Sequence, residues 1–373
     1  MFGVIIVFFL YLLSWLYLCS KCRKEALLAI PLRRYTLLCA FFMLLGLLGL
    51  QQGDYVHYID ILRQIDSITS LYTHYSGYIS HMEPQYVWLA KMCQGAYLPW
   101  RFFVFSLQYL VLFYFVRKLN YNTYLMYLLI LILCMHDFVY QRASWGIILF
   151  VCSLAYAIQT RKYYFLLLCP FCFFAHKSLI VLYLCSPVVF LRCTKRNLLL
   201  MAGVFLAMIA VVSFVFANSA DLANEFQQGE VGQEALSQMS HSGSYSIMDW
   251  LMGSSIGNFL GTTPSRLVII YTVFKLAYET SKKQLELPRT IEAMLLLCLT
   301  IILLALAFAF SGRAHSVYVN RVLCMASLPL TFVVHHFYEH HLLGKKYCVV
   351  SFSIVSFCFL YLFLLEIFYS AVL

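Results

Sequence analysis

An all-α, polytopic integral membrane protein is the fold class this sequence predicts, on three observations. Of 373 residues, 63% are hydrophobic and only 11% charged, against roughly 45–50% apolar and about 25% charged in an ordinary soluble domain. Apolar runs approaching the ~20 residues that a helix needs to cross hydrocarbon recur from end to end. Basic residues gather in alternate turns between those runs, where the positive-inside rule puts the cytoplasmic segments. Together these predict about twelve transmembrane helices in a single transmembrane domain, residues 1–373, with two long outward-facing loops at 51–98 and 218–263.

The spans fall near residues 1–19, 35–50, 99–116, 121–136, 143–159, 163–175, 178–191, 197–217, 264–278, 291–310, 322–337 and 347–369. The first lacks a basic leader and a small-residue cleavage signal, and Lys21, Arg23 and Lys24 follow it, so it reads as a retained anchor. The turns after alternate spans carry Arg33–Arg34, Arg117–Lys118, Arg161–Lys162, Arg192 with Lys195–Arg196, Lys282–Lys283 with Arg289, and Lys345–Lys346. With the first turn's residues and Lys275, they put eighteen of the 26 basic residues on the cytoplasmic side. The net charge of +10 is therefore spread by topology, which argues against a nucleic-acid partner.

Fourteen cysteines lie almost wholly in or beside apolar spans, Cys93 alone sitting well inside an outward loop, so no disulfide framework is expected. Cys19-x-x-Cys22 and Cys169-x-x-Cys172 have metal spacing but no second ligand pair nearby, and read as apolar filler. In the first loop Tyr55, Tyr58, Ile59, Leu62 and Ile65 recur at helical spacing opposite His57, Asp60 and Gln64, the pattern of an amphipathic helix in the headgroup plane. The second loop holds Asp221, Glu225, Glu230 and Glu234 before a His-Ser-Gly-Ser-Tyr-Ser stretch suited to a mobile lid.

Eight cations break the topological rule: Arg63, Lys91, Arg101, Arg142, Lys177, Arg266, Arg313 and Arg321 fall on the outward side. An anionic ligand there would explain them. Two spans separate Arg142 from His176, so an out, in, out path returns both to one membrane face.

Three stretches in that half of the chain, Gly53–Tyr58 (GDYVHY), Met82–Leu89 (MEPQYVWL) and Gln141–Leu182 (QRASWGIILF through FFAHKSLIVL), are similar to motifs of the EpsG-type branch of bacterial polysaccharide polymerases. That family is related in function to the Wzy polymerases of O-antigen and capsule. Ala143 and the direct Gly53–Asp54 step depart from its common pattern. The resemblance implies polymerisation of undecaprenyl-diphosphate-linked oligosaccharide units at the outer face of the bacterial plasma membrane, with a flippase and a chain-length regulator as partners. It implies no metal or cofactor.

The residues themselves allow such chemistry. Charge builds on the departing diphosphate, and arginine is always charged and bidentate to phosphate oxygens. Arg142, Arg313, Arg321 and Arg266, with Lys177, are the diphosphate-binding candidates; each arginine also reads as an interfacial side chain reaching for lipid phosphate. For catalysis the candidates are His176, Arg142, Asp54 and Glu83. His176 reads as the base for an attacking sugar hydroxyl, a diphosphate donor or a helix anchor, Asp54 as site acid or N-cap, and Glu83, before Pro84, as sugar ligand or helix start. Tyr55, Glu83 and Ser178 are the sugar-binding candidates.

Trp88, Tyr97, Trp100, Tyr140 and Trp145 read mainly as interfacial belt. His336 and His340, four apart in HHFYEHH, have metal spacing or mark an interfacial helix end. A paired-carboxylate signature for a covalent route is missing, which favours one inverting displacement. The rival functions are a lipid-sugar transferase adding one residue and a flippase or exporter of lipid-linked glycan; the latter usually shows broken helices and midplane charges.

Overall fold

A computed structural model describes residues 2–48, 62, 84–134, 141–217, 256–310 and 316–372. Among them the regular structure is helical, with one isolated bridge between Ala29 and Thr123. The helices are α1 (Phe2–Glu25), α2 (Leu32–Leu48), α3 (Pro84–Met92), α4 (Tyr97–Lys118) and α5 (Tyr124–Leu129), which runs on as a π-helical turn, Ile130–Cys134. After α6 (Gln141–Thr160) the chain alternates between types: a 3-10 helix at Tyr163–Phe171, α7 (Cys172–Ala175), a 3-10 turn at Lys177–Leu179, α8 (Ile180–Cys185) and a 3-10 helix at Ser186–Phe190. Four long helices and α13 complete it: α9 (Lys195–Ala217), α10 (Ile256–Lys283), α11 (Arg289–Phe310), α12 (Ser316–Glu339) and α13 (Lys345–Val372).

Each apolar stretch expected from the sequence falls on helix. Among the described residues, five segments are long and apolar enough to cross a membrane by length and composition: Ile5–Glu25, Tyr97–Lys118, Ala143–Thr160, Arg289–Phe310 and Lys346–Leu365. Residues 84–92 of the first loop are helical, in keeping with a helix start at Pro84. Two expectations change. α10 begins at Ile256, so residues 256–263 belong to a helix and not to the second loop. Of the amphipathic run in the first loop only Leu62 is described, as a buried helical residue.

The second change is the broken path through residues 163–190. Pro170 sits inside the first 3-10 helix and Pro187 opens the last, and a proline cannot donate to the preceding turn. A 3-10 helix rises about 2.0 Å per residue against 1.5 Å in an α-helix. Nine 3-10 residues followed by the four of α7 therefore reach about 24 Å end to end. The tighter winding lets a stretch too short for an α-helical crossing approach the ~30 Å of the hydrocarbon.

The chain forms two compact units: Met1–Leu184 with Thr331–Phe352 and Phe359–Leu373, and Cys185–Leu330 with Ser353–Cys358. In the first, α4 packs against both α2 and α6. Phe42, Tyr109, Phe113 and Tyr127 interlock α2, α4 and α5, with ring centroids 5.2 Å apart for Phe42–Phe113 and 5.1 Å for Phe113–Tyr127. All four are fully buried.

Basic turns meet basic turns. The Ile30 N–H donates to the Asn122 carbonyl at 3.0 Å, and Asn122 Nδ2 returns a bond to the Ile30 carbonyl at 3.1 Å. Arg34 Nη1 donates to the Tyr124 hydroxyl at 2.9 Å, and Gln159 Nε2 to the Leu119 carbonyl at 3.4 Å. Asn120, at φ 61°, ends α4: the Tyr121 N–H reaches the Val116 carbonyl and the Asn120 N–H the Arg117 carbonyl, the paired bonds of a Schellman motif. The turns of Arg33–Arg34, Arg117–Lys118 and Arg161–Lys162 thus gather at one end of this unit, as alternate crossings require.

In the second unit Glu292, in the first turn of α11, ties that helix to the 189–193 turn. Its Oε2 accepts from Arg192 Nη1 at 2.8 Å and Arg289 Nη1 at 3.0 Å, and its Oε1 from the Cys193 N–H at 2.7 Å. Arg289 also donates to the Leu191 and Val189 carbonyls. Burial, with the Glu292 carboxylate adding to it, pushes the Cys193 thiol up to about 12. Glu292→Ala strands the buried Cys193 N–H, a loss of about 1–3 kcal/mol, whereas Arg192, whose side chain is 65% exposed, forms a solvent-screened pair. Thermal unfolding in detergent should show a clearly lower Tm for Glu292→Ala and little change for Arg192→Ala; equal melting would assign the stability to the ion pair instead.

Candidate functional site

Arg142 is the second residue of α6, and Gly146 lies one turn further along the same helix. Gly146 is where the broken segment touches down: a Cβ built there would stand 2.4 Å from Leu179 Cδ1, 2.6 Å from Ala175 Cβ and 3.1 Å from the Cys172 carbonyl oxygen. The first turns of α6 therefore lie directly against residues 172–179, and α3, which starts at Pro84, packs against α7 as well. The start of α6 and residues 172–179 thus come together in the first unit, with α3 packed against α7 beside them.

That place is at the far end of α6 from the basic turns. Gln159 stands beside Leu119 while Gly146 stands beside Leu179, and the thirteen helical rises from Gly146 to Gln159 span about 20 Å. Arg142 and the His176 turn thus share the end of α6 opposite to Arg117–Lys118 and Arg161–Lys162.

His176 ends α7 in an extended conformation, φ −163° and ψ 130°, and its ring takes the role of a cap for the helical run that follows. The Ser178 N–H donates to His176 Nδ1 at 3.1 Å, and Ser178 Oγ lies 2.8 Å from the same nitrogen. A backbone N–H can only donate, so Nδ1 is the acceptor, and in the neutral tautomer the ring proton of His176 is on Nε2. Ser178, expected as a sugar ligand, is engaged with the ring.

Two of the cations expected on the outward side are buried. Arg101, 1% exposed, donates from Nε and Nη2 to the Gly46 carbonyl at 3.3 and 3.0 Å and from Nη1 to the Tyr97 hydroxyl at 2.9 Å, with its guanidinium carbon 5.3 Å from the Phe105 ring centroid. It thereby ties the last described turn of α2 to the first turns of α4. Arg266 lies in the third turn of α10, buried, with Nη2 3.3 Å from Cys324 Sγ of α12. Its position is internal to the second unit, where a span end had been expected. Trp100, expected in the interfacial belt, is fully buried, while Trp88 is exposed.

Arg321 is in the second turn of α12, and Lys177 opens a 3-10 turn. Asp54, Tyr55, Glu83 and Arg313 lie outside the described residues, as do the side chains of Arg142, Lys177 and Arg321. Sequence reasoning passed over Gly146, although a glycine one turn after Arg142 in an apolar helix was the available sign of close approach. Ala175 Cβ is fixed to its backbone and cannot swing aside, so Gly146→Val should displace the His176 turn and cost about 1–3 kcal/mol. Gly203→Ala, where a Cβ meets nothing within 4 Å, should leave the melting temperature in detergent unchanged or slightly higher; matching losses in both would dismiss the close contact as the cause.

No curated protein and no solved structure matches the chain. A family model does, over residues 34–372. Nearly the whole chain is covered, so the protein belongs to the EpsG family, a family of Wzy-like polysaccharide polymerases.

Proposed function

We propose that this protein polymerises undecaprenyl-diphosphate-linked oligosaccharide repeat units at the outer face of the plasma membrane. A growing glycan leaves its lipid diphosphate and joins a sugar hydroxyl of an incoming lipid-linked unit. The observation that carries this reading is the Gly146 contact, which supports a shared site for Arg142 and the His176 turn at the end of α6 away from the basic turns.

In the reaction the bond from the anomeric carbon to the diphosphate oxygen breaks as the acceptor oxygen forms the new glycosidic bond on the opposite face. The hydroxyl proton passes to a carboxylate, for which Asp54 and Glu83 are the candidates, and undecaprenyl diphosphate departs with the bonding pair. Arg142, with Lys177, Arg313 and Arg321, would neutralise the charge that develops on it. His176 Nε2 would donate to a diphosphate oxygen. Arg266 is the weakest of the proposed diphosphate ligands because it is buried among α10 and α12.

The breaks at residues 163–190 favour a second reading, a flippase of the same lipid-linked glycan, since transporters place interrupted helices at their substrates. Supplying purified lipid-linked repeat units to the reconstituted protein separates the two. A polymerase yields a ladder of repeat lengths, a single-addition transferase one larger product, and a flippase none.

Arg142→Ala is expected to lower the rate of ladder formation by roughly 100-fold or more. His176→Gln, whose amide N–H can occupy the position of Nε2–H, should keep far more activity than His176→Ala and an unchanged pH profile. Equal loss in the Gln and Ala variants would return His176 to the role of base.

A further inference from the structure

The HHFYEHH stretch forms the last turn of α12, and there three potential ligands converge outside the site just described. Ligand atoms of His336, Glu339 and His340 all lie within 4.8 Å of one another, and the two imidazole centroids are 4.1 Å apart. His336 is buried at 6% exposure, whereas Glu339 and His340 are exposed. Ligands sharing one ion at bond lengths near 2.1 Å stand roughly 3.4 Å apart, so small rotations of the two exposed side chains complete the approach.

An independent feature points the same way. His335 is 2% exposed, and its Nε2 lies 2.8 Å from Thr123 Oγ1. Thr123 Oγ1 also accepts from the Met126 N–H, so the threonine is fixed by the backbone and anchors His335 through Nε2, leaving Nδ1 as the ring nitrogen on the other side. That Nδ1 has no hydrogen-bond partner among the described residues and lies 3.8 Å from Glu339 Oε2. A buried imidazole is thus aimed at the carboxylate of the cluster, as outer partners orient metal-binding carboxylates.

The backbone holds the cluster in place. His341, at φ 55°, ends α12 in a Schellman motif: the Leu342 N–H donates to the Phe337 carbonyl at 2.8 Å and the His341 N–H to the Tyr338 carbonyl at 3.1 Å. The carbonyl end of a helix also favours a cation.

We propose that His336, Glu339 and His340 form a binding site for a divalent transition-metal ion of the zinc class, with His335 as the positioning residue for Glu339. Two imidazoles and a carboxylate suit zinc, and the exposed side leaves a coordination position open to water or to a further ligand. The site belongs to the same end of the first unit as the basic turns, through His335 and Thr123, and so lies apart from the Arg142 and His176 end. It stands independently of the glycan chemistry.

The test is zinc binding by the full-length, tag-free protein in detergent, in competition with a chromophoric chelator. The expected result is about one zinc per chain, weakened at least roughly tenfold by His340→Ala and by His336→Gln and more modestly by His335→Ala. His341→Asn, which keeps the left-handed turn, should bind as the wild type does. Cobalt should give a visible absorption band that His340→Ala abolishes. Because His340 is exposed, its replacement leaves the fold intact. Unchanged affinity in His340→Ala, or binding that is non-stoichiometric in the wild type, would overturn the site whatever the polymerase activity.

Discussion

The close approach at Gly146 is the contact on which the candidate site depends. A broken helical path is costly in hydrocarbon unless its freed backbone groups find partners. Here the break at His176 is accommodated by the chain itself: the imidazole accepts the Ser178 N–H that the helix start leaves open, and the missing side chain at Gly146 lets the turn lie flat against α6. The same bond that seals the break sets the tautomer of His176. The closure of the break and the protonation pattern of the ring are therefore one constraint.

Charge in this protein is used in two ways that composition alone does not separate. Arg101 and Glu292 fasten the ends of helices: each is buried and each bonds a backbone group of another segment. The basic turns, by contrast, meet one another through backbone and polar side chains, with Asn122, Tyr124 and Gln159 carrying the contacts and the lysines left outward. An outward arginine is thus not in itself a sign of an anionic ligand. Of the eight that escape the topological rule, Arg101 is accounted for by the fold.

Hydrophobic length and the alternation of basic turns were sufficient to read an all-helical membrane protein, because burial in lipid is decided by composition over a window of about twenty residues. The short motifs were sufficient for the family, and the return of the chain across two spans put Arg142 and His176 at one level. Other particulars needed the neighbours. That residues 163–171 wind as a 3-10 helix, that Trp100 is interior, and that Arg266 is about three turns inside α10 were not legible in hydropathy and spacing.

What the sequence by itself determined is the class of fold and the family, since these depend on hydrophobicity, spacing and motifs along one chain. Only the tertiary structure decided that Arg101 serves the Gly46 carbonyl, that Glu292 holds the 189–193 turn and that Thr123 anchors His335. Such matters rest on hydrogen bonds and contacts within a few ångströms, and no pattern along the chain measures a distance between segments that meet only when folded.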